Sequence, residues 1–197
     1  MINEPTTGSL SREDILAIFT QSEALLQGHF LLTSGKHSNQ YVQCAQVLKF
    51  PRHTETLMKE LRQKLSGQYD LVVGPAMGGV IVAYEMARQL GVPALFTERE
   101  AGVMKLRRGF RIQPGQKVLV VEDVITTGGS VQEAIDCVRE AGGVVEEAAV
   151  LVDRSGGKHV LRVPVTSLLE VSIQTYEAAD CPLCPGSQPV KPGSRSI

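Results

Sequence analysis

The sequence predicts an α/β fold in which a central parallel sheet is covered by helices on both faces. Short, continuous runs of β-branched and other apolar residues recur between residues 71 and 152. Stretches with helical spacing separate these runs, and the predicted helices stop at glycines. Strands that are apolar along their whole length and alternate with helices are typical of a parallel sheet buried on both sides. With 197 residues, 43% of them hydrophobic, the chain is long enough for one domain with a sizeable core.

Residues 1–50 are predicted to form an N-terminal region with a short helix followed by an irregular segment. Ser11 is placed to cap a helix over residues 12 to about 26, and Gly28 is expected to end that helix. The polar stretch over 33–40 has the composition of a loop.

Residues 51–175 are predicted to form the core, in which helices and strands alternate. The long segment over 98–116 interrupts this pattern, and its length indicates a functional lid. The tail over 176–197 is rich in proline, glycine and serine and is expected to be irregular. The regular elements expected within the core are helices over 52–65, 79–90 and 130–141 and strands over 71–73, 94–97, 118–121 and 148–152.

The composition excludes several classes of protein. The formal net charge is −1, which gives no general attraction to nucleic acid or to an anionic membrane. No apolar run reaches the length of a membrane span, and the first ten residues lack a secretory apolar core. The four cysteines are too few and too scattered for a disulfide scaffold, and they fit a reducing compartment. We therefore expect a cytoplasmic protein with no nucleic-acid partner and no membrane partner.

The segment that follows the third predicted strand carries the clearest chemical signal. Two adjacent carboxylates, Glu122 and Asp123, end the strand, and a turn rich in hydroxyl groups and glycine leads into a helix. In an open parallel sheet, ligands bind beyond the carboxyl ends of the strands. The turn offers backbone N–H groups, hydroxyls and a positive helix end to a phosphate, while the carboxylates suit sugar hydroxyls or a metal. The alternative is an ordinary strand–turn–helix with exposed acids.

This segment resembles the phosphoribosyl-pyrophosphate motif of the type I phosphoribosyltransferases. The resemblance implies that Glu122 and Asp123 hold the ribose hydroxyls and that the turn over 126–130 holds the 5-phosphate. Asp123 is also a modest candidate for assisting proton movement. The donor-binding residues implied are Glu122, Asp123, Val124, Ile125, Thr126, Thr127, Gly128, Gly129 and Ser130.

From about residue 12 to residue 175 the chain resembles the orotate phosphoribosyltransferases, in a divergent bacterial branch. The resemblance implies a small hood formed by residues 1–50, with a substrate loop over 30–41. The loop over 74–79 resembles the one that binds pyrophosphate, in which a cis peptide bond is expected between Ala76 and Met77.

The base is indicated by Arg154, which follows the fourth predicted strand. The resemblance places Arg154 against the carboxylate of orotate, and a guanidinium fork matches a planar carboxylate. The resemblance also places Thr126 beside orotate. The alternative for Arg154 is a surface ion pair.

The chain departs from the family pattern at several lysines. Thr33, Gly78 and Glu100 each stand where the family has lysine. The lid keeps Arg99, and Lys105, Arg107 and Arg108 are available to restore the lost positive charge from different positions. Arg99 and Lys105 are expected to neutralise the pyrophosphate. The alternative is a solvated basic hairpin.

The resemblance implies transfer of ribose 5-phosphate from phosphoribosyl pyrophosphate to orotate, with Mg²⁺ held mainly by the donor and no direct protein ligands. It also implies a homodimer in which the lid reaches the partner's site. Two alternatives remain: a purine phosphoribosyltransferase, and a non-catalytic regulator that senses phosphoribosyl pyrophosphate.

Two further features stay unassigned at this point. Cys181 and Cys184 form one metal-like knuckle without a second cysteine pair, so a metal site would require two knuckles to meet across a dimer. The four histidines are dispersed along the sequence, and only His37, in the substrate loop, merits a test.

Overall fold

The computed structural model describes residues 9–32 and 34–192, and its regular elements follow the alternation that the sequence predicts for the core. In chain order they are α1 (Arg12–Gln21), β1 (Leu25–Leu31), β2 (His37–Val42), α2 (Cys44–Leu48), α3 (Pro51–Gln63), β3 (Leu71–Pro75), α4 (Gly78–Leu90), β4 (Ala94–Glu100), β5 (Val103–Leu106), β6 (Val118–Ile125), α5 (Gly129–Glu140), β7 (Ala148–Asp153), β8 (Val165–Glu170) and β9 (Thr175–Tyr176), followed by a 3₁₀-helix (Ala178–Asp180).

A six-stranded sheet with the order β5-β4-β3-β6-β7-β8 forms the centre of the fold. Neighbouring strands run parallel except β4 and β5, which form an antiparallel hairpin. Successive side chains of β6 point to opposite faces: Val118 and Val120 pack in the core on the α5 side. Leu119 and Val121 pack in the core that contains α3 and α4. The predicted α/β fold, with a mainly parallel sheet covered on both faces, is confirmed.

A second sheet of three antiparallel strands, in the order β1-β2-β9, forms the hood. Strand β9 joins it from outside the expected range of 1–50. Ser11 caps α1 as predicted, with its hydroxyl accepting from the backbone N–H of Asp14 at 3.1 Å. The predicted extent of this helix was wrong, because α1 ends at Gln21 and Glu23 adopts a left-handed backbone with φ 57°. The chain then enters β1, and much of the polar stretch expected to be loop is strand β2. Thr33 lies outside the described residues.

The C-terminal segment over 177–192 packs against the hood with little regular structure, as the composition indicated. The backbone N–H of Leu31 donates to Val190 O at 2.9 Å, and the N–H of Val190 donates to His29 O at 2.8 Å. These bonds place residue 190 beside β1 as an isolated parallel bridge. Among the described residues, none of the helices has both the length and the apolar character needed to span a bilayer.

Candidate active site

The site lies where the order of the central sheet changes direction. From β3 the chain moves to β4 on one side, and it later returns to β6 on the other side of β3. The carboxyl ends of two such neighbouring strands diverge into a crevice, which is the usual ligand position in this kind of sheet. The turns after β3 and β6 therefore border the same crevice. The first of them contains the cis peptide bond expected between Ala76 and Met77.

Two carboxylates lie side by side near the end of β6, one buried and the other half-buried. The side chain of Glu122 is only 8% exposed, and Asp123 is half-buried. The backbone N–H of Asp123 donates to Glu122 Oε1 at 3.1 Å, and that of Val124 donates to Asp123 Oδ1 at 2.8 Å. Burial, and secondly the charge of Asp123, raises the pKa of Glu122 well above its usual value, and burial also raises the pKa of Asp123. The pair is therefore ready to accept hydrogen bonds and to hold a proton.

Helix α4 begins against these carboxylates, and the close approach depends on two glycines. A Cβ atom on Gly78 would lie 2.4 Å from Asp123 Oδ2, and one on Gly79 would lie 3.0 Å from Glu122 Oε1. Both distances are shorter than ordinary van der Waals contact. Gly78, which stands where the family has lysine, thus lets α4 begin in contact with the Asp123 side chain.

The turn after β6 combines exposed hydroxyls with a helix start that no side chain caps. Gly128 is the N-cap residue of α5 and has a left-handed backbone with φ 80°, and no side chain caps the helix. Thr126 and Thr127 are exposed, and the carbonyl of Thr127 is held by the backbone N–H of Val160 at 2.9 Å. The first N–H groups of a helix lack partners inside the helix, so those of α5 point toward the crevice edge as donors.

Arg154 follows β7 beside this turn, and its backbone N–H donates to Ile125 O at 2.9 Å. The side chain is half-buried, its Nε is fully buried without a hydrogen-bond partner, and burial lowers its pKa. A buried cationic donor without a partner is costly unless a ligand supplies an acceptor. This burial argues against the alternative of a surface ion pair.

The hood region approaches the same edge through Tyr41, which ends the expected substrate loop over 30–41, and through Cys44, which no prediction assigned to the site. Tyr41 and the thiol of Cys44 lie close enough to Arg154 to affect its charge, and Cys44 Sγ donates to Asp123 O at 3.6 Å. Burial, and secondly the nearby carboxylates, raises the pKa of Cys44 well above its ordinary value, so this thiol is no nucleophile. No sequence pattern around Cys44 signals this position.

The lid begins as the β4–β5 hairpin, so the prediction of a long loop was wrong for residues 98–106. Arg99 bonds Glu133 of α5 at 2.8 Å, and Lys105 bonds Glu100 at 2.8 Å. Across the hairpin, Arg99 pairs with Met104 and Lys105 pairs with Glu98. Paired residues point to the same face of the sheet and successive residues point to opposite faces, so the side chains of Arg99 and Lys105 lie on opposite faces. The structure therefore does not bring the two cations together, and each is paired with a carboxylate.

Known proteins resemble this chain over nearly its whole length. A family model described as a phosphoribosyl transferase domain matches residues 43–183. The chain is 58% identical to the orotate phosphoribosyltransferase of Desulforamulus reducens over 190 residues, which is 95% of this chain and 100% of that protein. It is 56% identical, with the same coverage, to the orotate phosphoribosyltransferase of Pelotomaculum thermopropionicum. The crystal structure of orotate phosphoribosyltransferase from Aeropyrum pernix matches with a TM-score of 0.68 and 29% identity, over 80% of this chain and 93% of that one.

Proposed function

The chain belongs to the orotate phosphoribosyltransferases of the phosphoribosyl transferase family, and on that premise we propose how its residues perform the reaction. The reaction joins a ring nitrogen of orotate to the anomeric carbon of the ribose 5-phosphate and releases pyrophosphate. One observation carries the assignment of the site. The buried carboxylate pair, the uncapped N-terminus of α5 and the unpartnered Nε of Arg154 all border one crevice.

Phosphoribosyl pyrophosphate binds along the end of β6 and the following turn. The 5-phosphate accepts hydrogen bonds from the backbone N–H groups and hydroxyls over 126–130, where the positive end of the α5 dipole favours an anion. Glu122 and Asp123 accept hydrogen bonds from the ribose hydroxyls. Val124 and Ile125 connect the two contacts and hold them at a fixed spacing, because they belong to the same strand.

Orotate binds beside Arg154 and Thr126, with its carboxylate on the guanidinium group. The half-buried position of Arg154 strengthens this pairing, because charges attract more strongly where water is partly excluded. The hood closes this side of the site through β2 and α2, which carry Tyr41 and Cys44. A base without a carboxylate would leave Arg154 unpaired, which disfavours a purine.

The chemical step requires positioning and charge stabilisation rather than a nucleophilic side chain. Positive charge grows on the sugar and negative charge on the leaving pyrophosphate in the transition state, so fixed donors and cations lower the barrier. One of the two lid cations, Arg99 or Lys105, supplies positive charge after leaving its carboxylate, because the two face opposite sides of the hairpin. Asp123, whose pKa burial raises, is placed to assist proton movement.

Magnesium fits this site as a companion of the donor. Mg²⁺ prefers oxygen ligands and keeps several waters, so the donor's own oxygens would hold it while Glu122 and Asp123 face the ribose hydroxyls. In the described ranges, the sole group of three or more histidine, cysteine or acidic residues able to share a metal lies elsewhere, in the hood. When bound, Mg²⁺ supplies positive charge to the pyrophosphate oxygens.

A second copy of the chain is the partner that the surface of α4 fits. Met77, Ile81 and Tyr84 are 84%, 46% and 68% exposed and follow helical spacing, and we call them the α4 stripe. The stripe starts at the turn after β3, so a partner docked there lies beside the crevice and its lid is within reach of it. A homodimer with a shared lid, in the cytoplasm, completes the proposal.

The assay that tests this function follows the absorbance change of orotate in the presence of Mg²⁺ and phosphoribosyl pyrophosphate. Parallel reactions contain adenine, hypoxanthine or xanthine in place of orotate. We expect turnover with orotate and with none of the three purines. Turnover with a purine and none with orotate would overturn the assignment of the base, and donor binding without any turnover would identify a sensor instead of an enzyme.

A further inference from the structure

Four potential metal ligands meet in the hood, outside the crevice. His29 and His37 come from neighbouring strands β1 and β2, and Cys181 and Cys184 come from the turn after the 3₁₀-helix. One ligand atom from each residue lies within 4.8 Å of all the others. The sequence contains no second pair of closely spaced cysteines. The structure supplies two histidines instead, from the same chain.

The separations between the ligand atoms are close to those of a tetrahedral zinc site. Zinc bonds of about 2.0–2.1 Å to nitrogen and about 2.3 Å to sulfur give tetrahedral edges of about 3.3 to 3.8 Å. His29 Nε2 lies 2.9 Å from His37 Nδ1 and 3.5 Å from Cys181 Sγ. Cys184 Sγ lies 3.4 Å from His37 Nδ1 and 4.0 Å from His29 Nε2. These four of the six separations are within about half an ångström of a tetrahedral edge, and all six are no longer than 4.8 Å.

The second nitrogen of His29 fixes which atom faces the cluster. Nδ1 lies 3.0 Å from the backbone carbonyl of Ser187, and a carbonyl only accepts, so Nδ1 carries the proton. Nε2 of the neutral ring therefore directs its lone pair toward His37, Cys181 and Cys184. Metal-binding histidines commonly donate their other N–H to a carbonyl in this way, which holds the ring in place.

Hydrogen bonding alone accounts poorly for this arrangement. A single lone pair on His29 Nε2 faces a ring nitrogen and two sulfur atoms, all within 4.0 Å. Cys184 has a second acceptor in Ala178 O at 3.9 Å, but one lone pair still cannot serve both His37 and Cys181 well, whereas a cation at the centre takes one lone pair from each ligand. His29, His37 and Cys181 are buried, and Cys184 is exposed at the rim.

We propose that His29, His37, Cys181 and Cys184 form a structural Zn²⁺ site within each chain. The two thiols lose their protons on binding, and the four ligands fill the tetrahedron and leave no open position for catalysis. Thiolate and imidazole ligands in this geometry favour zinc over the hard cation of the donor. This site is therefore separate from the Mg²⁺ of the reaction.

The site fastens the C-terminal segment to the hood. Residues 181 and 29 are 152 positions apart, so the metal closes a long loop. The same segment is held to β1 by the two backbone hydrogen bonds of Val190, and β9 pairs with His37 and Ser38 of β2. Binding energy at the metal becomes stability of the hood, because the ligands come together only in the folded chain.

A consequence for the substrate rests on the proposed function. Strand β2 carries His37 at its start and Tyr41, next to Arg154, near its end. Loss of zinc would loosen the hood strand that closes the orotate side, while β6 and its turn stay within the central sheet. We expect the KM for orotate to rise more than the KM for phosphoribosyl pyrophosphate.

Zinc content of the full-length, untagged chain tests the site directly. We expect inductively coupled plasma mass spectrometry to find about one zinc ion per chain purified without chelators. The double variant Cys181→Ser, Cys184→Ser should lose zinc at least about tenfold, since half of the ligands are removed. Cys137→Ser, outside the cluster, is the matched control and should keep its zinc. His29→Gln should lose zinc, whereas His53→Gln should keep it.

Cobalt uptake by the wild-type chain gives a readout that does not depend on how the variants fold. Co²⁺ added after zinc removal should give the visible absorption of a tetrahedral site with thiolate ligands, and added Zn²⁺ should abolish it. A wild-type chain that contains no zinc and takes up neither Zn²⁺ nor Co²⁺ would overturn the proposal, as would full zinc content in the double cysteine variant. Zinc bound at these residues in a chain inactive with orotate would support the site and contradict only the proposed function.

Discussion

At the scale of single residues, the burial of Glu122 has a cost that can be measured. In the unfolded chain this glutamate ionises near the ordinary pKa of about 4.3. Burial raises the pKa of Glu122 in the folded state, so the folded chain keeps the proton to a higher pH. The contribution of Glu122 to stability is therefore intact below about pH 4 and is lost as the pH rises through the folded-state pKa.

Glu122→Gln removes this charge while keeping the shape of the side chain. We expect the Tm of the variant to exceed that of the wild type at about pH 8 and to match it at about pH 4, because glutamine never ionises. Calorimetric scans of both proteins at both pH values measure the difference. An equal shift at the two pH values would show that the charge is not the cause.

The ribose contacts predict a sharp loss of activity. Replacing both carboxylates, as Glu122→Gln with Asp123→Asn, should lower kcat/KM by about 10²- to 10⁴-fold, because the sugar loses both carboxyl acceptors and Asp123 no longer assists proton movement. Circular dichroism should show an unchanged fold. Full activity in the double variant would contradict the role given to the pair.

Replacing Arg154 should weaken the use of orotate and leave the binding of phosphoribosyl pyrophosphate unchanged. Arg154→Gln removes the charged donor that is hydrogen-bonded to the orotate carboxylate. Such a hydrogen bond contributes about 1.5–3 kcal/mol, so kcat/KM for orotate should fall about 10- to 150-fold. The KM for phosphoribosyl pyrophosphate should stay near that of the wild type. Arg62→Gln, an exposed arginine of α3, is the control. A larger effect on the donor than on orotate would move Arg154 out of the base site.

At the scale of elements, the start of α4 should tolerate no side chain at position 78. A Cβ atom there would lie 2.4 Å from Asp123 Oδ2, so Gly78→Ala must move the carboxylate or the helix. We expect a loss of about 1–3 kcal/mol in the free energy of unfolding and a lower kcat/KM. Gly186→Ala, whose nearest neighbouring atom is 3.9 Å away, is the control. Wild-type stability and activity in Gly78→Ala would show that this contact is loose.

The elements of the core were predictable because burial on both faces leaves a strong signal in the sequence. Continuous apolar runs and glycine stops placed β3, β6 and α5 within a few residues of their observed bounds. The hood was not predictable in this way. Leu25 and Leu26 continue the apolar pattern of α1, and only the left-handed turn at Glu23 sends them into a strand. Strand β2 is polar, and its pairing with β1 and β9 forms it rather than its own composition.

The site residues also separate into those that the sequence could place and those that it could not. Glu122, Asp123 and the turn over 126–130 are adjacent in sequence, so their joint placement could be inferred from one segment. The positions of Arg99 and Lys105 depend on the hairpin register, which lid composition does not reveal. The four proposed zinc ligands are up to 155 positions apart, and no local pattern links a histidine of β1 to the two cysteines.

At the scale of the whole molecule, the α4 stripe predicts self-association. Ile81→Glu with Tyr84→Glu places charges on the exposed apolar face and should turn a dimer of 21.3 kDa chains into a monomer. Activity should fall with it, since the lid would no longer reach a second site. Sedimentation velocity measures the mass, and a wild-type chain that sediments as a monomer while fully active would contradict the shared lid.

The crevice between β3 and β6 is tested most directly by a crystal structure of the chain with phosphoribosyl pyrophosphate and Mg²⁺. We expect the 5-phosphate on the N–H groups and hydroxyls of residues 126–130 and the ribose hydroxyls within hydrogen-bond distance of Glu122 and Asp123. A donor bound away from β6, with this turn and the carboxylate pair free of contact, would contradict the account.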